Sequence, residues 1–235
     1  LWEAAAGVLL TLLVLLLVRD SSDCPELQRA GDSAPGGRGE GLSRPLLGMV
    51  LLSAFLTGGP CGPGFSHLTV LYTSAGFSSG TAALLMSYLG LVLIAAKVLY
   101  GWLSDRLGSR MANRLIFGVF LAGFALCCLA YTQSLPLAAA AITLTGLGMP
   151  LSSVTLSVWA GDLSAPEDYD RLVKWLSSAY MLGSLVTGPV PGLLADRFGG
   201  SYVPAYGLFL FFLLISMLLI QTVYRRTGVG GRPQR

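Results

Sequence analysis

The chain is 235 residues long, 54% hydrophobic and only 11% charged, with a formal net charge of +3. Together with a mean hydropathy of +0.69, that composition excludes a soluble domain and directs the reading to a bilayer. A membrane-crossing helix needs roughly 20 mostly apolar residues. Runs that meet or approach this length occupy residues 1–18, 46–72, 81–103, 115–131, 136–160, 172–194 and 202–224. The predicted class is an all-α membrane protein with seven transmembrane helices. Tyr72, Trp102, Tyr131, Trp159, Trp175, Tyr202 and Tyr224 stand near the ends of these runs, where interfacial aromatic anchors are expected.

Residues 1–18 read as a single helix that enters the cytoplasm at Arg19. With no charged leader before it, the run is expected to be a span and not a signal peptide, and the chain is expected to begin within a longer protein. Residues 19–45 are rich in Gly, Ser, Pro and mixed charge, the composition of a flexible cytoplasmic linker. Six helices then fill residues 46–224, and residues 225–235 form a basic cytoplasmic tail. The second run carries Gly58-Gly59-Pro60-Cys61-Gly62-Pro63-Gly64, which predicts a kinked or unwound helix packed beside protein or a water-filled cavity. Ser78 is the expected N-cap of the third. The fifth holds Gly146, Gly148 and Pro150, then Ser152, Ser153, Thr155 and Ser157, a polar stripe that lines a cavity or bonds back to its own helix. Residues 162–171 read as a cytoplasmic loop of mixed charge, and the sixth run contains Gly183, Gly188, Pro189, Pro191 and Gly192.

Orientation follows from the basic residues. If the loop at Asp105 is cytoplasmic, thirteen of the fifteen Lys and Arg lie on that side, with only Arg197 outside and only Lys97 within a span. The positive charge therefore reflects topology and not nucleic-acid binding. Cys24, Cys61, Cys127 and Cys128 show neither metal-ligand spacing nor a disulfide framework. No intramembrane acid pair, metal set or nucleophile with its base is present, so neither an enzyme, a metal nor a cofactor is expected.

Between the third and fourth runs stand Gly101, Asp105, Arg106, Gly108 and Arg110, read as a tight basic hinge. Asp105 is costly if left unpaired near lipid and is expected to face Arg106, Arg110 or a helix N-terminus. Gly101, Asp105, Arg106 and Gly108 recur as Gly192, Asp196, Arg197 and Gly199, each 91 positions on, and Gly58 and Pro60 recur as Gly148 and Pro150 at an offset of 90. Three spans separate the copies, which predicts an inverted repeat of three plus three helices. The hinge resembles the loop signature of the major facilitator superfamily, although Ser109 stands where that signature usually has a basic residue. The resemblance implies that the hinge is a conformational latch; the plainer alternative is a solvated turn. It further implies that the chain holds the last helix of the N-terminal half, the central linker and the whole C-terminal half, the missing half being a partner. The string Asp196-Arg197-Phe198-Gly199-Gly200-Ser201-Tyr202 resembles the monocarboxylate-transporter and oxalate:formate-antiporter branch.

Lys97 is the one ionic side chain well inside the spans of residues 46–224, at a cost of about 2.5–3.5 kcal/mol on insertion scales. It shares a helical face with Gly90, Ile94 and Gly101 and is expected to point inward. In the branch just named a basic residue four positions before the loop glycine contacts the substrate carboxylate, and Lys97 stands four before Gly101. By that resemblance Lys97 is the anion-binding cation; the alternative is that it snorkels to the interface about 6 Å away. The sixth run has no matching cation, which favours a monocarboxylate or other small anion. His67, the sole histidine, is the candidate for proton coupling, against a packing role. Tyr88, Ser153 and Tyr180 complete the candidate substrate site. The expected function is a plasma-membrane secondary transporter of a small organic anion, coupled to a proton or counter-anion, with a carrier of another solute or a non-transporting scaffold as alternatives.

Overall fold

The computed structural model describes residues 42–229. The readings made for residues 1–18, for most of the linker and for the end of the basic tail lie outside the described residues. Within them the chain is helical throughout: α1 (Arg44–Gly59), α2 (Leu68–Ser74), α3 (Ser79–Leu107), α4 (Ser109–Cys127), α5 (Leu135–Gly148), α6 (Val154–Leu163), α7 (Tyr169–Thr187), α8 (Val190–Arg197) and α9 (Val203–Thr227). Five continuous stretches are long and apolar enough to cross a membrane: Arg44–Gly64, Ser79–Leu107, Ser109–Cys127, Leu135–Ser152 and Val203–Thr227.

The glycine and proline clusters break helices where the sequence placed them. After α1 the backbone widens into a π-helical turn over Pro60–Gly64 before α2 resumes. Proline lacks the N–H that would continue the ladder, and the π turn re-routes the freed carbonyls. The fifth run breaks likewise, into a 3-10 turn over Met149–Ser152 between α5 and α6. The sixth, expected as one span, is divided at Gly188-Pro189 into α7 and α8. Ser78 does cap α3, its Oγ accepting from Thr81 N–H at 3.1 Å.

Two boundaries correct the sequence reading. The basic hinge, expected between the runs 81–103 and 115–131, is almost wholly helical. Helix α3 runs through Asp105 and Arg106 to Leu107 and α4 begins at Ser109, so the reversal is made by Gly108 alone, at φ +81°. A side chain there would be strained. Charged residues lower hydropathy sharply but cost a helix only a few tenths of a kcal/mol, so the apolar window ended before the helix did. Asp162, assigned to a loop, lies in the last turn of α6 for the same reason.

Packing is most extensive between α1 and α7 and between α4 and α5; α9 lies against α1 and α4, and α3 against α5 and α4. Helices α1 and α7 meet backbone to backbone, since a Cβ on Gly58 would strike the Tyr180 carbonyl oxygen and one on Gly183 that of Phe55. Small residues allow such approach, which is how helices gain dispersion contacts where lipid removes the hydrophobic drive. Between α1 and α9 the hydroxyls of Ser53 and Ser216 lie 2.7 Å apart and those of Thr57 and Ser216 2.9 Å apart. The centre is aromatic: Phe124 stacks edge-on to Phe120 at 4.9 Å and packs on Tyr206 at 5.4 Å.

Candidate functional site

Lys97 sits on α3, whose packed face is the ridge Ala82, Leu85, Leu89, Val92, Ala96 and Tyr100. The lysine lies off that ridge, on a flank with Gly90 and Gly101, and is exposed. A Cβ added to either glycine would meet nothing within 4 Å. No described helix closes this flank, and among the described residues no carboxylate lies within ion-pair distance of Lys97. The inward direction expected of it is thus not an inward direction within these six runs; the lysine opens away from their packed core.

Tyr88 is held on the other side of the same helix. Its hydroxyl lies 2.9 Å from Thr143 Oγ1 of α5. Nine residues at about 100° each turn the helix by half a revolution beyond whole turns, so Tyr88 and Lys97 point to opposite flanks and do not converge. His67 stands where the π turn hands over to α2. Its Nδ1–H donates to the Pro63 carbonyl at 2.8 Å and its ring stacks on Tyr202 at 5.9 Å. Ser153 is exposed at the junction of the 3-10 turn and α6, and Tyr180 is half-buried on α7. These five side chains are dispersed over α3, α6, α7 and the α1–α2 junction.

At the hinge Asp105 is exposed and makes no ion pair with Arg106 or Arg110; Arg106 instead lies over the Trp102 ring at 4.9 Å. The second copy is similarly open: Asp196 and Arg197 are exposed, a Cβ on Gly192 would meet nothing within 4 Å, and Gly199 has φ +63°.

Sequence reasoning missed a polar constellation at the hinge end of the bundle. Tyr100 donates to Asn113 Oδ1 at 2.8 Å, and Tyr224 donates to Asp162 Oδ2 at 2.6 Å. Ser104 Oγ, Arg110 Nε, Asn113 Nδ2, Thr155 Oγ1 and Trp159 Nε1, on the same helices, are buried without a partner. They come from α3, α4 and α6, and Tyr224 from α9. The signal available was spacing: Thr155, Trp159 and Asp162 fall at i, i+4 and i+7 on one helical face. A half-open groove of about 300 Å³ lies near that end, lined by Leu47, Leu163, Arg171 and Trp175 among others, and none of the sequence candidates lines it. Among the described residues no group of three or more His, Cys, Asp or Glu is placed to hold a metal.

This arrangement of broken and continuous apolar helices, with paired Asp-Arg-x-Gly turns, can be set beside known proteins. The Major Facilitator Superfamily profile matches residues 3–171 and 65–234. The chain belongs to the Major Facilitator Superfamily. Membership makes it a multi-pass membrane protein of a transporter family that carries small solutes, and it resembles the monocarboxylate branch of that family. It is 29% identical to monocarboxylate transporter 12 of Rattus norvegicus over 162 residues, which is 68% of this chain and 33% of that protein. The Homo sapiens protein of the same name is also 29% identical over 162 residues, 68% of this chain and 31% of its own length. Uncharacterized transporter YclF of Bacillus subtilis is 29% identical over 171 residues, 69% of this chain and 34% of YclF. The chain thus spans about a third of the length of the curated relatives it matches. No solved structure gives a significant match.

Proposed function

We propose that this chain is the C-terminal half, with the preceding helix and linker, of a plasma-membrane secondary carrier that moves a small organic anion, of the monocarboxylate class, by alternating access. The observation that carries the reading is Lys97, an intramembrane cation four residues before Gly101, in a chain similar over two thirds of its length to monocarboxylate transporter 12. Its exposed flank on α3 supports a site completed by helices from the other half, in which the ammonium group meets the substrate carboxylate. Desolvation there strengthens that attraction. Movement is coupled to a proton or counter-anion. The linker and both basic ends of this half face the cytoplasm.

The proposed fold is a 3+3 inverted repeat, and three features support it. Both first helices of the triplets break at matching places, after Gly59 and after Gly148. Gly108 and Gly199 both adopt positive φ just past a helix end. The packing pairs also correspond: α1 on α7 matches α5 on α3, and α4 on α5 matches α9 on α1. In this reading the two Asp-Arg turns sit on opposite membrane faces, and the Asp105 turn is a latch that is open in the conformation described above.

Uptake of a labelled monocarboxylate by cells expressing the chain joined to its N-terminal half tests the proposal. The wild type should concentrate the anion, and Lys97→Ala should lose at least tenfold of the uptake while reaching the membrane at the same level. Unchanged uptake in the variant overturns the role of Lys97. A second reading is a carrier of a different solute, since the chain is equally similar, at 29% identity, to a transporter not named for monocarboxylates, the uncharacterized YclF; it predicts no monocarboxylate uptake but saturable uptake of another solute.

A further inference from the structure

At the hinge end of the bundle, three arginines gather on two neighbouring helices with no acid between them. Arg114 Nε of α4 donates to Gln221 Oε1 of α9 at 2.6 Å, and Gln221 Nε2 lies 3.5 Å from the Arg110 carbonyl. Gln221 is buried, so it fixes the plane of the Arg114 guanidinium and leaves both terminal NH₂ groups free. The two helices run in opposite directions. The register that joins Arg114 to Gln221 therefore brings Arg110 and Arg225 to one level, a turn nearer the membrane surface. Arg110 Nε is buried without a partner, and Arg225 is exposed. Among the described residues the single ion pair is Arg171 with Asp168, elsewhere on the fold. Asp162, which faces the adjoining turn of α9, is already engaged by Tyr224.

What lies beneath these arginines identifies the counter-charge. Exposed apolar residues climb both helices at spacings of three and four: Met111, Leu115 and Gly118 on α4, and Phe211, Leu214 and Leu218 on α9. A Cβ on Gly118 would meet nothing within 4 Å. Each stripe ends at the arginines. A ligand with two or three acceptor oxygens at one end and hydrocarbon at the other fits both features at once, while a free anion uses only the first.

We propose that the ends of α4 and α9 bind an anionic phospholipid, with its phosphate held by Arg110, Arg114 and Arg225 and an acyl chain laid along the apolar stripes. The proposal rests on the orientation proposed above only for its leaflet: the arginines then face the cytoplasmic side, where anionic lipids concentrate. Gln221 is a positioning residue, since it holds Arg114 without reaching the phosphate itself.

Native mass spectrometry of the detergent-purified full chain, titrated with phosphatidylserine and phosphatidylcholine, tests this. Phosphatidylserine should be retained preferentially. Arg110→Gln with Arg225→Gln should reduce that preference about tenfold, and Arg171→Gln with Lys174→Gln should leave it unchanged. Arg225→Glu alone, on an exposed final turn, keeps the fold and should reduce the preference at least threefold. The proposal is overturned if the Arg110 and Arg225 variants retain the preference, or if the Arg171 and Lys174 variant loses it equally. It is also overturned if soluble glycerophosphoserine competes at the same concentration as the lipid, because the acyl chain then contributes nothing. None of these readouts involves transport, so their failure leaves the carrier reading standing, and failed uptake leaves this site standing.

Discussion

The crossing of α1 on α7 and that of α5 on α3 occupy equivalent places in the chain, yet they are built differently. Adding 91 to Phe55 and Val92 gives Gly146 and Gly183, and the contacts are Phe55 with Gly183 and Gly146 with Val92. At the first crossing glycine meets backbone: a Cβ on Gly183 would run into the Phe55 carbonyl oxygen, and one on Gly58 into that of Tyr180. At the second, a Cβ on Gly146 would lie 2.8 Å from Val92 Cγ1 and 2.9 Å from Leu89 Cδ1. A side chain can change rotamer and a helical carbonyl cannot, so the first crossing is fixed in its separation and the second is adjustable. One of the two crossings is a rigid seam and the other a compliant one.

The largest expected effect comes from testing the rigid seam. Gly183→Ala should force α1 and α7 apart and lower stability toward the upper end of about 1–3 kcal/mol, read as thermal unfolding of the purified protein in detergent. Adding Phe55→Ala should not restore it, because the obstacle is main chain. Gly146→Ala should cost less, about 1 kcal/mol, and adding Val92→Ala should recover most of it. Equal losses at the two glycines, or rescue of Gly183→Ala by Phe55→Ala, would erase the distinction.

How far this was readable beforehand differs between the seams and their surroundings. Gly58 and Pro60 announced the break in α1, because the chemistry of glycine and proline acts locally; the same pair at Gly148 and Pro150 was read only as a repeat, although it breaks the chain after α5 in the same way. Gly183 was visible as a glycine, but not as a backbone contact, since that depends on where another helix lies. The hinge length was misread because hydropathy marks where lipid ends, and α3 continues past that level through Asp105 to Leu107. The sequence reading grouped Tyr88 with Lys97 in one site, although helical periodicity alone puts two residues nine apart on opposite flanks. The Tyr100, Asn113, Asp162 and Tyr224 constellation did need one: four helices must be placed before its members become neighbours.

That constellation bears on the compliant seam. Helix α6, the continuation of α5, is anchored at its end to α9, where Asp162 is bonded to Tyr224, and that anchor limits how far α5 can shift against α3. Tyr224→Phe removes the donor and leaves a half-buried carboxylate to water, at a cost of about 1–2 kcal/mol. The same melting measurement checks it, and combining the change with Gly146→Ala should cost more than the sum, because the crossing then loses its restraint. Strict additivity would show that the end tie and the crossing are independent.

The smallest effect is expected where the compliant seam carries its one side-chain hydrogen bond across α3 and α5, Tyr88 to Thr143. Interhelical hydrogen bonds in membranes average about 0.6 kcal/mol, and Tyr88 is 41% exposed, so Tyr88→Phe should shift the melting temperature barely above error. Its value lies in separating two roles. Tyr88 and Lys97 point to opposite flanks of α3, so a residue that only ties helices should leave anion uptake within about twofold of wild type, whereas Lys97→Ala should lose at least tenfold. If Tyr88→Phe instead lowers uptake tenfold at unchanged stability, the substrate path runs along the α3–α5 seam itself, and the compliance of that seam becomes part of the transport cycle.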